Sequence, residues 1–209
     1  VVQLIELFQA RAELKPESPV LLVLGDGDSM PSDLDTFLSW GIEHDVGALG
    51  RGIKDYPGKV HHWFNGDGET AIQWAKNLPN GNGTIKHTCG HVDGFDVDWD
   101  WRNKDDYHYG TITGEGPGRS HGSSAMFATL AGLYMGYDRI VLAGCPLDSN
   151  GHYYWPEKTQ DTLGPLWMGF DMMAWIDFRD SENGHRVRSL SGYTAKIMGY
   201  ADKKWVQGE

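Results

Sequence analysis

Cysteine is nearly absent from this chain: Cys89 and Cys145 are the only two. A disulfide framework is therefore not what holds the fold together, and two reduced thiols in a cytoplasmic protein are the expectation. Positive charge is also scarce. Lys and Arg number 18 against 29 Asp and Glu, which leaves a net charge of -11. Such a field opposes nonspecific attachment to nucleic acid or to an anionic membrane surface. No stretch approaches the roughly 20 consecutive apolar residues of a membrane-spanning helix. The opening residues 1–19 read as an amphipathic helix rather than a signal peptide. Two chemical signatures are missing from the glycine turn after the first apolar run, the lysine of a P-loop and the third glycine of a dinucleotide fingerprint, and the glycine spacing around Ser123 and Ser124 does not make them the nucleophile of a serine-hydrolase elbow.

Glycine and aromatic residues are plentiful: 28 Gly, 9 Trp and 9 Tyr in 209 residues. The length fits one domain, residues 1–209, with room for a sizeable core. Residues 20–24, "VLLVL", form a continuous apolar run that stops at a glycine turn, the pattern of a strand buried on both faces. A helix is expected over 31–41, strands over 44–50 and 59–67, and a helix over 69–78. Strands follow over 84–92 and 95–101, a glycine-rich loop over 110–118 and a helix over 123–136. The second half continues with a strand over 138–144 and a helix over about 160–179, its start broken by Gly164 and Pro165. A strand over 185–192 and a helix over 193–205 close the chain. Alternation of this kind predicts an α/β fold, a three-layer Rossmann-like sandwich with a mostly parallel sheet. Ligands of such sheets sit beyond the carboxyl ends of the strands, so the loops after Leu24, Phe64, Cys89 and Ala143 should share one rim.

Four stretches carry candidate chemistry. In "GDGDSMPSDL" a glycine turn follows the first strand, so Gly25, Asp26, Gly27 and Ser29 are candidate ligand contacts. In the same stretch Ser32 or Asp33 could instead cap the next helix. In "SHGSSAMFATLAGLYMG", Ser120, Gly122, Ser123 and Ser124 stand at a helix start, where spare hydroxyls and the positive dipole end attract phosphate or carboxylate. Arg119 and His121 reinforce that tendency. In "CPLDSNGHYYWP", Asp148, His152, Tyr153 and Tyr154 offer acid, base and stacking groups at the expected rim, with His152 the natural general base. His185 is a weaker base candidate, since strand starts lie on the other edge. Finally, His87, Cys89, His91 and Asp93 share parity and would face one way on an extended strand. A zinc-dependent hydrolase is the reaction that pattern allows, and a half-exposed polar strand is the plainer alternative.

Together these residues resemble a known group. "LGDGDSM" looks like the "GNGPS" or "GPGPS" turn of the bacterial CMP-sialic-acid-dependent sialyltransferases and of the motility-accessory-factor type of glycosyltransferases. "GSSAMFATLAGLYMGYDRIVLAGCPLD" resembles their "SGxxAxxxAxxLGYKEIYLxGxDF" segment, with Gly122, Ser123, Gly136, Tyr137 and Gly144 to Leu147 in matching order. The resemblance spans about half the chain. It implies a cytidine-nucleotide contact at Gly25, Gly27, Ser29, Gly122 and Ser123, with Tyr153 or Tyr154 near the phosphate. The expected protein is glycosyltransferase-like, using a nucleotide-sugar, a CMP-linked one among the candidates, and needing neither a metal nor a separate cofactor. A nucleotide-binding or anion-binding protein without catalysis is the alternative. The expected partner is a small nucleotide or nucleotide-sugar, and a homo-oligomer is compatible with the sequence.

Overall fold

The computed structural model describes residues 14–54, 56–65, 83–88, 93–99, 123–148, 150 and 165–209. Seven strands are present among them: β1 (Val20–Leu24), β2 (Asp45–Leu49), β3 (His62–Asn65), β4 (Ile85–Thr88), β5 (Val97–Asp98), β6 (Arg139–Ala143) and β7 (Val187–Ser189). They form one sheet in the order β5-β4-β3-β2-β1-β6-β7. Every pairing is parallel. Among the described residues five α-helices accompany it: α1 (Met30–Ser39), α2 (Ser124–Met135), α3 (Pro165–Arg179), α4 (Gly192–Met198) and α5 (Lys203–Gln207).

Alternation along β1 divides its side chains between two cores. Leu21 and Val23 join Ile140, Leu142 and Phe64 under α2, α3 and α4. Val20, Leu22 and Leu24 join Val46, Ala48, Trp63 and Val141 against α1 and Val206 of α5. Both faces are covered, which is why the central strands read as unbroken apolar runs. The expected three-layer α/β sandwich is the observed one, and its sheet is parallel throughout the described strands.

The helix start at 123 behaves as its composition requires. Ser123 is the N-cap and its hydroxyl accepts the Met126 N–H, while Gly136 ends α2 in the left-handed region at φ 104°. A Cβ on Gly132 would sit 2.7 Å from Leu21 Cδ2, so the small residue permits the close approach of α2 to the sheet. Helix α3 begins at Pro165, the position where a missing N–H costs nothing.

Two expectations need correction. The single helix expected over 193–205 is two, α4 and α5, because Gly199 adopts φ 93° and Tyr200 pairs with Ser189 as a β-bridge. Asp202 then caps the second helix through the Trp205 N–H. Neither Ser32 nor Asp33 caps α1; Ser29 holds that position and makes no side-chain cap bond. The helices expected over 1–19 and 69–78 and the loop over 110–118 lie largely or wholly outside the described residues.

Candidate ligand site at the sheet switch point

The strand order turns back between β1 and β6, both of which lead outward from the middle of the sheet. Crossovers leaving them diverge to opposite sides, and the gap between their carboxyl ends is the crevice that parallel sheets offer to ligands. Gly25, Asp26, Gly27 and Ser29 follow β1 there, and Gly144, Cys145 and Asp148 follow β6. Ser189 and Ser191 close the same edge at the end of β7.

These loops are tightly joined. Gly25 N–H donates to Ala143 O at 2.8 Å and Gly27 N–H to Gly144 O at 2.9 Å. A Cβ on Gly25 would stand 2.3 Å from Gly144 O, and one on Gly27 would stand 2.4 Å from the Pro146 ring. Glycine at both positions is thus demanded by the contact between the two loops. Leu147 takes a left-handed φ of 52°, a strained choice for a branched side chain. It packs against the core and turns the following Asp148 into a short loop in which Oδ1 accepts the Asn150 N–H at 3.1 Å.

Charge on this rim is mixed. Burial, and then the nearby Asp28, raise the Asp148 carboxyl above the ordinary carboxylate range. Burial, with Asp26 and Asp33 adding to it, pushes the free Cys145 thiol far up, so it is no thiolate nucleophile. Beyond β2 a short 3-10 turn, Gly50–Lys54, carries Arg51 and Lys54. Asp26 Oδ2 lies 3.5 Å from where a Cβ of Gly50 would be, so the acidic side chain is turned toward that basic segment. Arg51 and Lys54 were not singled out in the sequence; the signal was a basic pair directly after an apolar strand.

Gly25, Asp26, Gly27, Ser29 and Asp148 therefore share the switch-point rim. Ser123 and Ser124 begin α2, with Ser123 committed to its cap. His152, Tyr153, Tyr154, Ser120, Gly122, Arg119 and His121 lie outside the described residues, as do Cys89 and His91. His185 is exposed in a 3-10 turn ahead of β7, on the opposite edge of the sheet.

The histidine-rich stretch has a different role from either reading of it. His87 is fully buried, not half-exposed, and both ring nitrogens are engaged. The Trp99 indole N–H donates to His87 Nδ1 at 2.9 Å, and His87 Nε2 lies 2.9 Å from His62 Nδ1. His62 Nε2 is 3.0 Å from the Tyr137 hydroxyl, which donates to Asp45 Oδ2 at 2.8 Å. Indole can only donate, so the direction of the whole chain follows: Trp99 to His87 to His62 to Tyr137 to Asp45, with both imidazoles neutral. Burial agrees, lowering His62 to about 4 and His87 well below its ordinary value. With no lone pair left, His87 cannot serve a zinc ion, and the hydrolase reading loses its first ligand.

Asp45 begins β2 and His62 begins β3, so this network ends at the amino edge, opposite the rim. There Glu17, Asp45 and His61 bring their ligand-type atoms within 4.8 Å of one another. Their donor set does not fit a cation. His61 Nδ1 accepts the Val46 N–H at 3.0 Å, so Nε2 bears the hydrogen and points it at the two carboxylates. No helix among the described residues is long and apolar enough to cross a membrane.

An all-parallel sheet between two layers of helices, with its switch point between β1 and β6, is a Rossmann-like α/β architecture. Among solved structures the chain matches the sialyltransferase CST-II, crystallised with a trisaccharide acceptor and CMP. The TM-score is 0.62 at 16% identity, over 88% of this chain and 86% of that one. No protein-family model and no curated protein sequence matches it.

Proposed function

We propose that this protein is a nucleotide-sugar-dependent glycosyltransferase, transferring a sugar to a hydroxyl acceptor without an obligatory metal. The supporting observation is the switch point between β1 and β6, where a glycine turn and an acid of raised pKa share the rim, in a fold like that of a sialyltransferase crystallised with CMP. The donor is a nucleotide-sugar, a CMP-linked one by that likeness, and no further cofactor takes part.

In this reading Gly25, Asp26, Gly27 and Ser29 meet the nucleotide from one side and Ser120, Gly122, Ser123 and Ser124 from the other. His152 takes the proton of the acceptor hydroxyl as its oxygen bonds to the anomeric carbon of the sugar. The bond from that carbon to the phosphate oxygen breaks, and the electron pair leaves on the nucleotide. Backbone N–H groups at the start of α2 stabilise the growing phosphate charge. Tyr153 or Tyr154 contacts the same phosphate, and Asp148 supplies a second acid/base group beside it.

Calorimetric titration with CMP, UDP and GDP is expected to give micromolar binding for at least one nucleotide, with CMP the tightest. Silence for all of them would sink the reading. A protein of the same fold that binds a nucleotide without catalysis is the alternative reading. Nucleotide binding without donor hydrolysis, unchanged in His152→Ala, would decide for that alternative.

A further inference from the structure

We propose that Asp33 is a positioning residue of the ligand rim, its carboxylate clamping together the loops that leave β1, β6 and β7. Asp33 lies in the first turn of α1 and is buried. Its backbone N–H already donates to Ser29 O at 3.0 Å, so the helix start is served without the side chain. The carboxylate turns the other way. Oδ2 accepts the Gly144 N–H at 2.9 Å, the Ser191 hydroxyl at 2.6 Å and the Ser29 hydroxyl at 3.0 Å.

Those three donors belong to three different loops. Ser29 follows β1, Gly144 follows β6 and Ser191 follows β7; Ser29 and Ser191 oxygens are themselves 2.8 Å apart. Gly144 is the first residue beyond β6, where the sheet no longer supplies an acceptor for its N–H. Without Asp33 that buried donor would be unpaired, and two hydroxyls would lose their common acceptor. Tyr193 N–H to Pro146 O at 2.8 Å, and Gly192 packed where a Cβ would stand 2.2 Å from Pro146 O, then lock the β7 loop onto the β6 loop. The crevice between β1 and β6 thus has a fixed width, set from within α1. One oxygen in the right place is enough for this. A charge is not required.

The binding half of this inference rests on the nucleotide reading above; the clamp itself does not. Amide hydrogen exchange and CMP titration of Asp33→Ala, Asp33→Asn and Ser191→Ala separate the two. Asn can set its amide oxygen where Oδ2 now lies, whereas Ala leaves nothing there. Asp33→Ala is expected to raise exchange together at residues 25–29, 144–148 and 190–193, leave β3 and β4 protected, and weaken CMP roughly tenfold. Asp33→Asn is expected to keep wild-type protection and affinity. If Asn loosens the loops as much as Ala, the helix-dipole charge of Asp33 matters and the clamp is refuted. Wild-type exchange in Asp33→Ala refutes it equally. Should Asp33→Ala fail to fold, Ser191→Ala carries the test: faster exchange at 190–193 and 25–29 supports the clamp, and no change overturns it. Wild-type protein that ignores CMP while the exchange pattern holds would remove the nucleotide reading and leave the clamp standing.

Discussion

Single residues in this protein answer to partners far away in sequence. Tyr137 is the clearest case, bonded to Asp45 and His62 across 92 and 75 positions. Tyr137→Phe would strand the His62 Nε2–H in the core, and a loss of about 1–3 kcal/mol in urea unfolding is expected. An unchanged midpoint would mean that the chain of hydrogen bonds contributes nothing. The two neutral imidazoles also set a pH dependence. His62 is held at about 4 when folded against 6.5 ordinarily, so below pH 6.5 the unfolded chain binds more protons than the folded one. Stability is therefore full above pH 6.5, falls as pH drops and is lost through about pH 4, by roughly 3 kcal/mol for this group. His87 acts in the same direction. Calorimetric melting between pH 7 and pH 4.5 should show a falling midpoint; a flat profile would contradict the buried neutral pair. Gly25→Ala is expected to cost about 1–3 kcal/mol by overpacking, since its Cβ would stand 2.3 Å from Gly144 O. A thermal midpoint equal to wild type would show that the two loops can separate freely.

Whole elements were legible where local chemistry decides them. Strand β1 announces itself by five apolar residues stopped by glycine, and α2 by a capping serine, small residues on its sheet-facing side and a terminal glycine. Ser123→Ala is accordingly expected to cost about 1 kcal/mol, read by chemical denaturation. No loss would mean that Met126 N–H finds another acceptor. Residues 193–205 show the limit of such reading. Their helical spacing is sound, but the bridge between Tyr200 and Ser189 depends on a strand already in place, and Gly199 yields to it. The stretch from His87 misled for a related reason. Alternating polar residues suggest a wet face, yet Trp99 and His62 give His87 dry hydrogen-bond partners and Phe64 stacks on its ring. Asp33 is harder still. Its spacing fits a helix cap, and only contacts with Gly144 and Ser191 reveal what the carboxylate holds.

At the scale of the whole molecule the two edges of the sheet divide the work. From Asp45 at the amino edge a polar network runs through His62 and His87 to Trp99, just past β5, with its hydrogen bonds spent internally. The carboxyl edge carries glycine turns, short acidic and basic segments and the start of α2. The switch point between β1 and β6 was legible as a place, because parallel strands ending in glycine leave few topologies. The chemistry at that place was less legible, since what Asp33 holds there depends on Gly144 and Ser191, both more than a hundred residues away in sequence. A crystal structure of the protein soaked with CMP is the most direct test of the nucleotide site. Density for the nucleotide is expected between the β1 and β6 loops, with its phosphate at the start of α2 and contacts to residues 25–29. A nucleotide bound at the amino edge near His61, or a saturated soak that leaves the crevice without one, would contradict it.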